Sequence, residues 1–163
     1  MPLLLAFFVL GVDIVSKYWT QATLPLMSQS LPWYPYGGVP VFKNFFGVEF
    51  SISHATNKGA AWGAFSDYSF ILLLMRLLLI AVLFLYYRRA EKAYRYALAL
   101  IIAGALGNVL DIFFYGHVVD MFHFVLWGYS YPVFNVADSS IFCGVLLYIV
   151  LSWKQNYAGN KVA

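Results

Sequence analysis

Four long runs of apolar residues divide the chain, and more polar segments separate them. The runs cover residues 2–24, 68–87, 94–115 and 136–153. A helix needs about 20 mostly apolar residues to cross the hydrocarbon core of a bilayer. Asp13 and Lys17 interrupt the first run, which favours a retained helix over a secretory signal. The pattern predicts an all-α membrane protein with four transmembrane helices in a single integral membrane domain.

The connector 25–67 has a different pattern from the apolar runs. Four of the six prolines of the chain lie in it, which argues against helix in its first part. In the stretch GVEFSIS, the apolar residues Val48, Phe50 and Ile52 then alternate with polar ones. This period of two predicts a strand with one apolar face. We therefore expect a small β-sheet in this connector, resting on the membrane interface, where aromatic residues concentrate.

Composition narrows the class of protein. Hydrophobic residues make up 63% of the 163 residues and charged residues 10%, and the mean hydropathy is +0.75. Soluble domains carry about 25% charged residues, so the chain is built for lipid. The formal net charge of +3 is small and scattered and gives no indication of nucleic-acid binding. The single cysteine, Cys143, excludes an intramolecular disulfide.

The basic residues of the connectors predict the orientation of the spans. Lysines and arginines concentrate in the short connector after the second span and in the C-terminal tail, at Arg88, Arg89, Lys92, Arg95, Lys154 and Lys161. The connector 116–135 has neither lysine nor arginine. We therefore expect both termini on the cytoplasmic side, and the connectors 25–67 and 116–135 on the extracytoplasmic side.

Polar residues inside the spans are the next clue, because a charge in the hydrocarbon region usually marks a partner, a pathway or a site. Asp13 and Lys17 are spaced i, i+4 and can pair on one helix face. Their pairing favours a structural role, joining the first span to its neighbours. Asn108 and Asp111 follow the small-residue run AGALG, which lets helices approach closely. Arg76 is either a partner for an acid or a snorkelling residue, and the sequence does not decide between the two.

Two further acids lie at the outer ends of the third and fourth spans. Asp138 follows Asn135 by three residues, which resembles a helix capping box and explains that acid without chemistry. Asp120 has no such explanation, since it lies among apolar residues after Gly116. The third and fourth spans are antiparallel, so both acids fall at one depth. Two adjacent carboxyls share a proton, and such a pair can activate water without a metal or cofactor.

Other kinds of site fit the residues less well. The histidines His54, His117 and His123 lack the spacing of zinc ligands. Ser139 and Ser140 have no adjacent base that would activate a serine nucleophile. Two alternatives stay open at this point. One is a small proton- or ion-coupled transporter that uses the intramembrane carboxylates, and the other is a structural membrane partner in which the acids only cap and join helices.

Five short motifs occur in a fixed order along the predicted spans. They are DIVSK (13–17), NKGAAWG (57–63), GALGNVLD (104–111), GHVVDMF (116–122) and PVFNVADSS (132–140). Together they resemble the lipoprotein signal peptidases, also called signal peptidase II, over almost the whole chain. The resemblance implies four transmembrane helices with a small extracytoplasmic sheet, and a membrane-embedded aspartic endopeptidase without a metal or other cofactor.

The resemblance also implies a substrate and a set of site residues. The substrate is a diacylglyceryl-modified prolipoprotein, cleaved before the lipidated cysteine of its lipobox in the bacterial cytoplasmic (inner) membrane. The catalytic aspartates of the V-V-D and F-N-x-A-D motifs correspond to Asp120 and Asp138. Supporting residues correspond to Asp13, Lys17, Asn57, Gly59, Asn108, Asp111 and Asn135. The expected partners are the substrate and membrane lipid, without nucleic acid, and the expected state is a monomer.

The chain departs from the family pattern at two positions. Ile112 stands where the family usually has an arginine directly after the G-N-x-x-D aspartate, and Met121 stands where phenylalanine is common. That arginine is implicated in holding the substrate backbone, so this contact is in doubt. One hypothesis is that Arg76 supplies the missing charge.

Overall fold

The computed structural model describes residues 1–27, 35–58 and 68–159. Within these ranges the chain forms four helices and four strands. The helices are α1 (Pro2–Thr23), α2 (Ser69–Arg89), α3 (Lys92–Tyr115) and α4 (Val136–Gly159). The strands are β1 (Val39–Phe45), β2 (Val48–Asn57), β3 (Val118–Leu126) and β4 (Tyr129–Ser130). Helix α4 continues well beyond its predicted end at residue 153.

The four helices are long and apolar enough to cross a membrane. Their outward faces carry large apolar side chains such as Phe7, Leu78 and Phe142, which are 63–69% exposed. A soluble domain rarely exposes apolar patches of this extent, whereas a lipid environment accepts them. The fold is therefore that of a membrane protein with four candidate spans and one small sheet.

Helix α3 is the centre of the helical bundle and packs against α1, α2 and α4. Its contact faces are lined by buried small residues, among them Gly104 and Gly107. A methyl group at Gly104 would overlap the carbonyl oxygen of Ala137 in α4. One at Gly107 would overlap the carboxylate of Asp13 in α1. The missing side chains therefore let two helices approach α3 closely, as small residues do in membrane bundles.

The strands form one antiparallel sheet in the order β1-β2-β3-β4. Strands β1 and β2 belong to the connector 25–67, as predicted, but β3 and β4 belong to the connector 116–135. The prediction of a sheet confined to the first connector is therefore wrong in its extent. Strand β3 has the sequence VVDMFHFVL, and its first four residues are all buried. A strand that is covered on both faces need not alternate polar and apolar residues. The sequence of β3 therefore lacks the period-two pattern that would have predicted a strand.

The path of the chain from α3 to α4 brings the ends of these elements together. Gly116 ends α3 in the left-handed conformation, with φ of 75°, and directs the chain into β3. Strand β3 then pairs with β2, where Ala55 lies opposite Asp120. Before α4 begins, Phe134 pairs with Phe122 of β3. The first turn of α4 is thereby held beside the middle of β3.

Candidate active site

Asp120 and Asp138 lie in one cavity of about 530 Å³. Asp120 belongs to β3, and Asp138 belongs to the first turn of α4. The same cavity is also lined by Asn57 at the end of β2 and by Asn108 of α3. Four elements that are distant in sequence therefore contribute polar side chains to a single site.

Asn135 connects the two aspartates directly. Its side-chain Nδ2 donates a hydrogen bond of 2.7 Å to Asp120 Oδ1. Its backbone N–H donates to Asp138 Oδ2 at 3.3 Å, and its own Oδ1 accepts from the backbone N–H of Asp138 at 2.8 Å. The last two contacts make the capping box that the sequence indicated. The cap and the pairing of the acids are therefore compatible, because one asparagine serves both.

Asn108 holds Asp138 from the side of α3. Its Nδ2 donates to Asp138 Oδ1 at 2.8 Å, and its Oδ1 accepts from Lys17 Nζ at 2.9 Å. The same oxygen lies 3.1 Å from Asn135 Nδ2. The orientation of the amide is thus fixed from both ends, and the carboxylate of Asp138 is held in place by α3 as well as by its own helix.

Behind the cavity, Lys17 is fully buried between two acids. Its Nζ lies 2.8 Å from Asp13 Oδ2 and 2.8 Å from Asp111 Oδ2. With the hydrogen bond to Asn108, three side-chain oxygens lie within 2.9 Å of the ammonium nitrogen. The pairing of Asp13 with Lys17 follows from their spacing, whereas the contact with Asp111 joins α1 to α3.

The two acids of this group are themselves tied to the backbone of other elements. Asp13 Oδ1 accepts from the backbone N–H of Ala137 in α4 at 2.8 Å. Asp111 Oδ2 accepts from the backbone N–H of Val119 in β3 at 3.1 Å. The chain segments that carry Asp138 and Asp120 are therefore each fastened to the same buried lysine through one carboxylate.

The environment of Asp120 favours its protonated form. Burial is the largest influence and the neighbouring Asp138 carboxyl the next, and together they raise the pKa of Asp120 from its ordinary value to about 7. Hydrogen bonds from Asn135 and Asn57 and the charge of Lys17 act in the opposite direction. A carboxyl with this pKa retains a proton over part of the neutral range, as one member of an aspartic pair must.

Comparison with known proteins identifies the family. The profile of the family described as Signal peptidase (SPase) II matches residues 5–154. The chain belongs to the signal peptidase II family.

Relatives and solved structures of this family cover most of the chain. The lipoprotein signal peptidase of Clostridium acetobutylicum is 35% identical over 156 residues, which is 93% of each chain. That of Chlamydia felis is 38% identical over 154 residues, covering 90% of this chain and 87% of the relative. A bacterial membrane enzyme solved by the in meso method at 2.3 Å is 30% identical with a TM-score of 0.80, covering 95% of this chain and 88% of its own. The protein is therefore a protease of lipoprotein precursors, and the transporter alternative finds no support.

The histidines of the peptidase do not gather into a metal site. Among the described residues, no group of three or more histidines, cysteines or acids is placed to hold a metal ion. His54 Nδ1 contacts the carbonyl oxygen of Leu24 at 2.9 Å, and His123 Nε2 contacts Ser130 Oγ at 2.8 Å. Two of the three histidines, on β2 and β3, thus have local partners.

The two serines that follow Asp138 donate hydrogen bonds to backbone carbonyls. Ser139 Oγ donates to the carbonyl oxygen of Asn135 at 2.9 Å, and Ser140 Oγ donates to that of Leu100 at 2.8 Å. A serine nucleophile would instead be hydrogen-bonded to a base. These serines therefore support the start of α4 and its packing on α3.

Some residues of the cavity wall were not predicted from the sequence. Phe142 and Cys143 line it, and their positions four residues after Asp138 and Ser139, which also line it, could have indicated the shared helix faces. Arg76 of α2, which the sequence left undecided, lines it as well. Of the predicted supporting residues, Gly59 lies outside the described residues, with most of the NKGAAWG motif.

Proposed function

We propose that Asp120 and Asp138 form the catalytic dyad of an aspartic endopeptidase that acts on diacylglyceryl-modified prolipoproteins. The enzyme removes the signal peptide by cleaving the bond before the lipidated cysteine. The observation that carries this proposal is the cavity common to both carboxyls, together with the buried Asn135, which hydrogen-bonds to each of them. The reaction requires only water and the two acids, so no metal or cofactor takes part.

The two aspartates have different roles in this mechanism. Asp138 accepts hydrogen bonds from Asn108 and from the backbone of Asn135, and it lies at the positive end of the α4 dipole. In each of these contacts the Asp138 carboxyl is the acceptor, the role that a carboxylate takes. Asp120, on β3, is the more buried of the two, and its raised pKa favours the protonated form. Asp138 is therefore the base at the start of the reaction, and Asp120 is the acid.

The chemical steps follow from these roles. The carboxylate of Asp138 takes a proton from water as the oxygen attacks the peptide carbonyl carbon, and Asp120 gives its proton to the carbonyl oxygen. In the resulting geminal diol, Asp138 returns its proton to the peptide nitrogen while one hydroxyl gives its proton to Asp120. The carbon–nitrogen bond then breaks, and both acids regain their starting states. General acid–base catalysis of this kind contributes about 100-fold to 10,000-fold to the rate.

Two features of the fold support a route for the substrate from the lipid. Helix α2 packs against α3, and its contact with α4 includes the hydrogen bond of 2.9 Å between the hydroxyls of Tyr86 and Tyr148. Towards the dyad, Arg76 of α2 and Cys143 of α4 line the open cavity. The signal segment lies between these helices, with its diacylglyceryl group in the leaflet. The lipobox is extended along the end of β2, where Asn57 binds its backbone.

The orientation that fits this route has both termini in the cytoplasm. The basic connector Arg88–Arg95 then faces inward, in agreement with the positive-inside rule, and the sheet and dyad lie on the extracytoplasmic side of the inner membrane. In this proposal the enzyme acts as a monomer, with both catalytic acids on one chain. The supporting residues Asp13, Lys17, Asn108, Asp111 and Asn135 hold the dyad in position.

The proposed substrate class can be tested with one precursor in two forms. The purified protein in lipid vesicles is expected to cleave a diacylglyceryl-modified prolipoprotein. It is expected to cleave the same precursor without the lipid at a rate at least about 10-fold lower. The lipid is expected to matter because it places the lipobox at the depth of the dyad. Mass spectrometry of the product identifies the new N-terminus, which must be the lipidated cysteine. Equal cleavage of both forms, or a different new N-terminus, would contradict the proposal.

A further inference from the structure

The charges around the cavity do not balance without a contribution from α2. Lys17 carries one positive charge, and the two acids Asp13 and Asp111 share it, so this group has no positive charge left over for the dyad. A dyad that shares one proton carries one negative charge. Negative charges that are close together and removed from water raise one another's affinity for protons. An ionised base at this place therefore needs a cation that is not already committed to the buried acids.

Arg76 meets this need by its position. It is the cationic side chain among the described residues that line the cavity, and it is half-buried. Its charge interacts more strongly with Asp138 than with Asp120. The stretch of α2 around it, ILLLMRLLLI, is otherwise apolar. A charged residue in such a stretch is costly in lipid, so its placement beside two acids indicates a function.

We propose that Arg76 is a positioning residue that holds Asp138 as the carboxylate and thereby makes it the base of the dyad. This inference rests on the proposed dyad. A guanidinium group stays protonated throughout the working pH range of an enzyme, so its effect on the acids does not itself titrate. The opposing interpretation is that Arg76 only snorkels: its side chain extends through lipid so that the guanidinium reaches the membrane surface, as in many spans.

The two interpretations differ in their effect on the pH dependence of catalysis. A nearby cation favours the ionised forms of both acids, so its loss moves the pH–rate profile to higher pH. Besides Arg76, Lys17 of α1 interacts with Asp120 and Asp111 of α3 interacts with Asp138. The titratable side chains of Tyr131 and Cys143 also line the cavity, and all four groups remain unchanged in an Arg76 variant. An arginine with a purely structural role would change the amount of folded enzyme and leave the pH optimum of kcat in place.

The test is the pH dependence of kcat for the wild type and three variants with a lipidated prolipoprotein in vesicles. Arg76→Gln is expected to raise the pH optimum by about 1 unit. Arg76→Lys, which retains the charge, is expected to keep the wild-type optimum. Arg89→Gln, at the far end of the same helix, serves as the matched control and is also expected to keep it. If the glutamine disturbs insertion, Arg76→Leu is the second neutral variant, and the same upward shift is expected.

The outcomes separate the two levels of the proposal. An unchanged pH optimum in a folded neutral variant, beside an active wild type, overturns the role of Arg76 and leaves the dyad in place. A wild type that cleaves the lipidated substrate at no pH contradicts the proposed function itself. A shift in Arg89→Gln equal to that in Arg76→Gln assigns the effect to general surface charge and also overturns the role of Arg76.

Discussion

Replacement of either Asp120 or Asp138 by asparagine is expected to reduce kcat by about 100-fold to 10,000-fold. Asparagine has nearly the same shape as aspartate, but it cannot accept a proton from water or deliver one to a carbonyl oxygen. The oxygen of the new amide can still accept the hydrogen bonds from Asn135 and Asn108 that hold the acids now. The loss should therefore fall on the chemical step, with little change in the amount of folded protein.

The matched control for both variants is Glu49→Gln. Glu49 is an acid on β2 that pairs with Val125 at the other end of the β2–β3 ladder from Asp120. Its neutralisation removes one negative charge from the same sheet without touching the cavity. Single-turnover cleavage of a lipidated prolipoprotein measures the rate in each case. A dyad variant that cleaves at the rate of the control would show that the acid it lacks is not catalytic.

Replacement of Lys17 by methionine is expected to give the largest loss of stability. The side chain is fully buried and forms ion pairs with both Asp13 and Asp111. Removing one partner of a buried ionic group leaves the others uncompensated, which costs about 3–5 kcal/mol. For a chain of this length the melting temperature should fall by about 10 °C. Thermal unfolding in detergent micelles measures the change.

Two further variants show whether the charge is the cause. Lys43→Met removes a lysine from the exposed strand β1 and should leave the melting temperature unchanged. The triple variant Asp13→Asn, Lys17→Met, Asp111→Asn has a neutral interior in place of the ionic group and should recover most of the loss. If Lys17→Met unfolds at the wild-type temperature, the buried group does not hold α1 to the rest of the bundle.

The elements that the sequence predicts well are those whose pattern is local. The apolar runs predict the four helices because a span in lipid must satisfy its backbone hydrogen bonds within itself, as an α-helix does. The alternation in GVEFSIS predicts β2, although the fully buried positions in this stretch are the polar Ser51 and Ser53, and the apolar Phe50 and Ile52 are only partly buried. Strand β3 was not predicted because its first four residues are buried on both faces and so show no alternation. Its role is set by its pairing with β2, which no short stretch of sequence reveals.

The candidate site shows the same division between local and distant contacts. The pairing of Asp13 with Lys17 and the capping box of Asn135 and Asp138 are separated by three or four residues, so their spacing predicts them. The hydrogen bond from Lys17 to Asn108 spans 91 residues, and the one from Ala137 to Asp13 spans 124. Contacts of this kind depend on how the helices pack around Gly104 and Gly107, and they appear only in the folded structure.

The convergence of the two acids followed from a coarser argument. Antiparallel spans place the end of α3 and the start of α4 at one depth, which predicts that Asp120 and Asp138 approach each other. It does not predict that one asparagine binds both, or that Asp120 is the more buried of the two and has a raised pKa. The side chains that surround the two acids come from β2, α2 and α3. Neither the V-V-D motif nor the F-N-x-A-D motif reveals these neighbours.

The ionisation of the two carboxyls is the most direct test of the central claim. In protein labelled with carbon-13 at the aspartate carboxyls, asparagine variants assign the resonances of residues 120 and 138. A dyad that shares one proton predicts a resonance for Asp120 that titrates near pH 7 and moves when Asp138 is replaced. Two carboxyls that titrate independently near the ordinary value of about 4 would contradict the shared proton, and with it the proposed mechanism.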